Sequence, residues 1–206
     1  FQLATHDLEI RGAGELLGEA QSGNMQTIGF SLYMEMLDEA VTAIREGRTP
    51  DFDQTESAHA EVDLKIPALI PNDYLNDVPL RLELYKRISS AASEELLSEI
   101  EIEMIDRFGL LPPQVKNLFQ QAKVRLLAEA LGIKQITLGP QSGRIEFREK
   151  TKVDPMVLIS LVQSKAHEYR LNGATALKVI RETVGTEARL TFIHEVLDAL
   201  KRPATS

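Results

Sequence analysis

The 206-residue sequence has no cysteine. That excludes disulfides and thiolate metal sites and suits a reducing cytosol. It has no run approaching the roughly 20 apolar residues that span a bilayer, and nothing built like a signal peptide, so no membrane partner is expected. No GxxxxGKS or GxxxxGKT occurs, so no loop of that type cradles nucleotide phosphates. No serine sits in a nucleophile elbow. His194-Glu195 opens like a zinc-protease motif, but Asp198 stands where the second histidine belongs. The four histidines, His6, His59, His167 and His194, fall on separate elements. These absences predict a chain with no catalytic residue, no metal site and no cofactor of its own.

Charge of one sign is short in places. Residues 1–50 carry 3 Lys/Arg against 8 Asp/Glu, a net −5. Residues 51–111 carry 5 against 14, a net −9, and residues 112–206 carry 15 against 9, a net +6. The acidic middle repels phosphate backbones and suits docking on something basic. The basic end lacks clustered arginines interleaved with aromatics, so little nucleic-acid binding is expected there.

What is present is enough for a core: 43% of the residues are hydrophobic. The chain opens on Phe1 rather than Met, so a segment of a longer protein is expected. FQLATHDLE reads as the end of a helix. IGFSLYMEMLDEAVTAIREG sets Tyr33, Leu37, Ala40, Val41 and Ile44 on one helical stripe, closed by Gly47 and Pro50. Asp38-Glu39-Ala40-Val41 looks like a helicase acidic box but lies inside this helix, as a solvated face. Residues 48–57 are polar and aperiodic and read as a linker, dividing residues 1–47 from a domain over 58–206.

In that domain Val62, Leu64 and Ile66 alternate like a strand, which Pro67 and Pro71 confine to an edge or an extended arm. Helices follow over 77–91, over 93–109 with Ser93 as N-cap and Gly109 as stop, and over 112–132 with proline in the first turn and Gly132 at the end. IKQITL and RIEFRE predict a hairpin turning at GPQSG. Asp154-Pro155 opens a helix through about His167, LKVIRE reads as a strand, and a helix closes from Glu187 to Lys201. The predicted fold class is α+β, with helices packed on a small, mostly antiparallel sheet.

Two features invite a functional reading. DLEIRGAGELLGEAQSG, residues 7–23, gathers four glycines around Arg11 and Gln21. Glycine admits positive φ and close backbone approach, so the loop is shaped to present those two side chains, or is a plain connector in which Arg11 pairs with Glu9 or Glu15. Gly12, Gly14 and Gly18 miss the dinucleotide fingerprint by one residue and follow no hydrophobic strand. The second feature is a stripe of Glu95, Glu99, Glu103 and Asp106, within roughly 80° on one helix at 100° per residue. Leu97, Ile100, Met104 and Phe108 form the opposite, buried face. The stripe reads as a solvated face, or as a docking surface for a partner's arginines. Arg107, four residues after Glu103, offsets part of its charge.

DLEIRGAGELLGEAQSG with IGFSLYMEMLDEAV resembles the segment after the last helicase motif in the bacterial transcription-repair coupling factors, and more loosely that of the branch-migrating helicases. LIPNDYLNDVPLRLELYKRISSA and EMIDRFGLLPPQVKNLF resemble those factors' C-terminal domain. The resemblance implies that residues 1–47 are the helical tail of the second helicase lobe. Arg11 and Gln21, with Gly12, Gly14 and Gly18, would then belong to the translocation motif that couples ATP-driven lobe motion to duplex DNA. It further implies that residues 58–206 form a regulatory clamp. Glu103 and Asp106, with Glu99 beside them, would face basic residues of the N-terminal repair module and hide the surface for the excision-repair damage-recognition ATPase. ATP and Mg, RNA polymerase and duplex DNA would be ligands of the parent protein, a cytoplasmic DNA translocase, not of this stretch. The alternatives are a nucleotide- or cofactor-binding enzyme domain using the Gly12–Gly18 loop, the equivalent tail of a branch-migrating helicase, and a nucleic-acid-binding module in the basic C-terminal part.

Overall fold

The computed structural model describes residues 30–47 and 59–202. The elements are α1 (Phe30–Glu46), β1 (Glu61–Asp63), α2 (Val78–Ser90), α3 (Glu94–Phe108), α4 (Pro113–Leu131), β2 (Ile133–Leu138), β3 (Ser142–Phe147), α5 (Pro155–Ser164), β4 (Tyr169–Leu171), β5 (Ala176–Ile180) and α6 (Gly185–Lys201). The α+β class read from the sequence is the class observed. The glycine loop and the 48–57 linker lie outside the described residues.

The chain gathers into two units. The first joins α1 to residues 68–119; the second joins residues 59–67 to the chain from 120 onward.

The first unit is helical. Asp77 caps α2 by accepting from the Leu80 amide at 2.9 Å, ahead of a proline in the first turn. Leu84, Tyr85 and Ile88 of α2 are buried, as are Leu97, Ile100 and Met104 of α3. Before α2, the Ile70 amide donates to the Tyr85 hydroxyl at 2.6 Å, and buried Arg81 donates to Asn72 Oδ1 at 3.0 Å. Helical periodicity puts Ile44 on the buried stripe of α1, but it is 72% exposed and Ala43 is buried in its place. Leu37, Ala40 and Val41 of the predicted stripe are half-buried, so the departure is at the last turn of α1.

The second unit is a five-stranded sheet in the order β1-β2-β3-β5-β4. β1 runs parallel to β2 and the other pairs are antiparallel. The sheet's apolar side (Ile136, Leu138, Ile145, Phe147, Leu177, Val179, Tyr169) packs with Val124, Ala128 and Leu131 of α4 and Phe192, Ile193, Val196, Leu197 and Leu200 of α6. α5 adds Leu158, Leu161 and Val162 to the same side. Gly132 ends α4 with φ 69°; a Cβ there would lie 2.8 Å from the Thr151 backbone, so only glycine fits the chain reversal into β2.

Several boundaries differ from the sequence reading. The alternation through Ile66 stops pairing after Asp63, where Lys65 takes φ 51°. α5 ends at Ser164 rather than near His167, and the residues after it supply β4, a three-residue strand too short for periodicity to mark. α6 starts at Gly185, with no side-chain cap.

The extended arm is fastened from α6. Buried Arg189 donates from Nη1 to the Leu64 and Lys65 carbonyls at 3.1 and 2.7 Å, and from Nη2 and Nε to the carbonyl and hydroxyl of Thr183, both at 3.3 Å. Arg189→Ala strands those carbonyls and is expected to cost about 2–4 kcal/mol of unfolding free energy. Urea denaturation followed by circular dichroism reads it.

Candidate functional site

The acidic helix α3 is fixed at both ends. Ser93, in extended conformation, accepts from the Leu96 amide at 3.3 Å, and Glu94 and Glu95 occupy the positive end of the helix dipole. At the other end Gly109 takes φ 90° and its amide donates to the Ile105 carbonyl at 2.9 Å. The Tyr74 hydroxyl reaches the carbonyls of Gly109 and Met104 at 2.9 and 3.2 Å, and its ring meets Phe108 edge-on with centroids 6.2 Å apart. Leu97, Ile100 and Met104 are buried as the sequence predicts, while Phe108 is half-buried.

The four carboxylates of the stripe do not share one environment. Glu103 lies at the edge of the buried face and is gripped from two sides. Arg87 of α2 binds it in a two-pronged fork, Nη1 to Oε1 at 3.1 Å and Nη2 to Oε2 at 2.6 Å. Arg107, one turn on, donates to Oε1 at 2.7 Å. These arginines, Arg87 before Arg107, lower the Glu103 pKa from 4.5 to about 2. Glu95, Glu99 and Asp106 are exposed, and neither Glu99 nor Asp106 has an ion-pair partner among the described residues. Between them sits Ile102, 59% exposed, with Ile105 and Leu96 to either side.

The sequence reading anticipated the Arg107 contact and missed Arg87. The Arg87 contact joins the last turn of α2 to the third turn of α3 across 16 residues of sequence, and a short antiparallel connection alone would pair Arg87 with the first turn of α3 instead, so no local signal marked it. The sequence reading also missed Ile102, exposed among these carboxylates. Arg11, Gln21, Gly12, Gly14 and Gly18 lie outside the described residues.

Chemically, the face offers two exposed carboxylates beside an aliphatic side chain. A guanidinium can bond the former while its partner's apolar surface covers the latter.

The TRCF domain family matches residues 64–158, a stretch that contains this helix. Over 197 residues the chain is 49% identical to the transcription-repair-coupling factor of Haemophilus influenzae, covering 96% of this chain and 17% of that protein. The chain belongs to the transcription-repair coupling factors. The Escherichia coli transcription-repair-coupling factor is 48% identical over 204 residues, and that of Bacillus subtilis 34% over 204 residues. The chain spans 17% and 18% of the length of the two more similar relatives. A solved C-terminal domain of a transcription-repair coupling factor shares the fold, with a TM-score of 0.55 and 21% identity over 69% of this chain and 94% of that one.

The Glu103 pKa fixes a pH dependence. Because the folded value lies below the ordinary one, the stabilisation is fully present above about pH 4.5 and is lost as pH falls towards 2. Glu103 is about a third exposed, so solvent screening holds the effect near ~1 kcal/mol. Glu103→Gln is expected to lower stability by that amount at neutral pH and to match the parent chain near pH 2. Denaturant melts of both across this range measure it.

Proposed function

We propose that this chain is a non-catalytic regulatory region of a DNA translocase that couples transcription to excision repair. In this reading α3 restrains the parent protein by docking on its N-terminal repair module and masking the surface for the damage-recognition ATPase. The observation that carries it is the exposed face of α3: Glu99 and Asp106 uncommitted, Ile102 open beside them, and the helix held rigid by Ser93, Gly109 and Tyr74. A helix that spends stability on unneutralised carboxylates around an exposed isoleucine fits a basic partner with an apolar centre.

Glu103 has a narrower part in this than Glu99 and Asp106. A carboxylate offers about four acceptor sites, and Arg87 and Arg107 occupy three on Glu103. It has room for one further bond, so it orients and shares, while Asp106 and Glu99 take the incoming arginine. An interdomain contact of a few kcal/mol then holds the resting state, and engagement with RNA polymerase and DNA shifts the population. ATP and Mg belong to nucleotide-binding lobes of the parent, and Arg11 and Gln21 to its translocation motif. The working compartment is the cytoplasm.

Glu99→Lys combined with Asp106→Arg in the full-length protein is expected to raise basal ATP hydrolysis severalfold and to expose binding of the damage-recognition ATPase. Steady-state hydrolysis and pull-down measure the two; unchanged values for both would remove the clamp.

A further inference from the structure

The helices of the second unit cover one side of its sheet, and the other side carries an unusual row. Thr137 pairs with Arg144, Arg144 with Lys178, and Lys178 with Arg170. Residues paired directly across a ladder point to the same side, so Arg144, Lys178 and Arg170 stand in line across β3, β5 and β4, opposite Ile145, Leu177, Val179 and Tyr169 of the core. All three are exposed. At 4.7–4.9 Å between strands, the row spans roughly 10 Å.

Folding gains nothing from this arrangement. Like charges directly opposite on neighbouring strands repel, and here two such pairs share the central lysine. Arg144 has a distant carboxylate, Glu146 Oε2 at 3.9 Å, while neither Lys178 nor Arg170 has an ion-pair partner among the described residues. Around the row lie Gln135, Thr137 and Ser142, and three carboxylates share this side: Asp63 beside Thr137 at the β1 end of the row, with Glu61 and Glu146 one pair along; the cations gather towards β5 and β4. Among the described residues of the sheet, Ile180 is the one large apolar side chain on this side, and none there is aromatic.

The chemistry of that face selects among anionic partners. A protein interface draws its energy from a buried apolar or aromatic centre, which is missing. Single-stranded nucleic acid binds sheets by stacking bases on aromatic side chains, also missing. A phosphodiester backbone needs only cations and hydrogen-bond donors in a wet, polar setting. The row's length is on the scale of two to three phosphates along one strand, at about 3.4 Å of rise each. The geometry points to a docking surface for the backbone of duplex DNA on the open side of the sheet, centred on Arg144, Lys178 and Arg170. The expectation of little nucleic-acid binding by the basic C-terminal part rested on its cations not being clustered in sequence; the ladder brings three of them side by side. The surface stands apart from the α3 clamp, whose residues it does not use.

The test is a fluorescence-anisotropy titration of the 206-residue chain with a short labelled DNA duplex across a salt series. For Arg144→Gln/Arg170→Gln/Lys178→Gln, the slope of log K against log salt is expected to flatten by about 2.7, and low-salt affinity to fall by roughly tenfold or more. Lys178→Glu separates binding from folding. It converts both like-charge pairs to opposite-charge pairs, so it should keep or raise the Tm while weakening duplex binding. Three results would overturn the surface: no salt-dependent duplex binding by the parent chain, equal binding by the triple variant, or a lower Tm in Lys178→Glu. Tighter capture of a polyglutamate peptide than of the duplex would also overturn it, in favour of an acidic protein partner.

Discussion

One carboxylate organises the acidic helix. Glu103 is held in the fork of Arg87 and again by Arg107, and this ties the last turn of α2 to the later turns of α3. Were it free, the stripe would be four equivalent charges in solvent, repelling one another at about 0.2–0.5 kcal/mol per neighbouring pair. With Glu103 committed, the stripe splits into an internal brace and an external face, and the external carboxylates are left with an exposed isoleucine between them. The brace is modest in energy because solvent screens it. Its effect is local: the buried Leu97, Ile100 and Met104 set the rotation of α3, and the brace takes one carboxylate out of the outward-facing set.

Much of this was legible in the chain. Local chemistry marks its own position: Asp77 and Asp154 ahead of prolines, Ser93 ahead of an acidic turn, and Gly109 and Gly132 after apolar periodicity all fall where the helices start and stop. The buried side of α3 follows from spacing alone. What could not be read was whatever depends on pairing between distant segments. The Arg87 contact spans 16 residues, and the hold of Arg189 on Leu64 and Lys65 spans 125 and 124. β4 is stabilised by its neighbour β5 and not by its own three residues, so it leaves no periodic trace. Lys65 interrupts β1 by adopting positive φ, which nothing in the residue type announces.

The same distinction governs the second unit's charge. In sequence, Arg144, Arg170 and Lys178 are separated by a helix and two turns, and no window reveals them as a cluster. The antiparallel register sets them side by side. The sheet's two sides thus differ in kind: one is closed by three helices into a single apolar cluster, and the other is polar, with carboxylates at the β1 end and cations lined up across β3, β5 and β4. Composition averages over such a division, which is why a net +6 over the last 95 residues looked diffuse.

The path of the chain carries a last consequence. Residues 59–67 belong with the segment after residue 120, although the whole of residues 68–119 comes between them. β1 is the parallel partner of β2, and its arm lies under the hydrogen bonds of Arg189. Trimming the chain back to the start of α2 would therefore remove an outer strand from a sheet that the cut itself never touches. β2 would be left with an open row of amides and carbonyls ready to recruit a strand from another molecule. Any shortened version meant to stay monomeric must keep the arm, however loop-like it looks in the sequence.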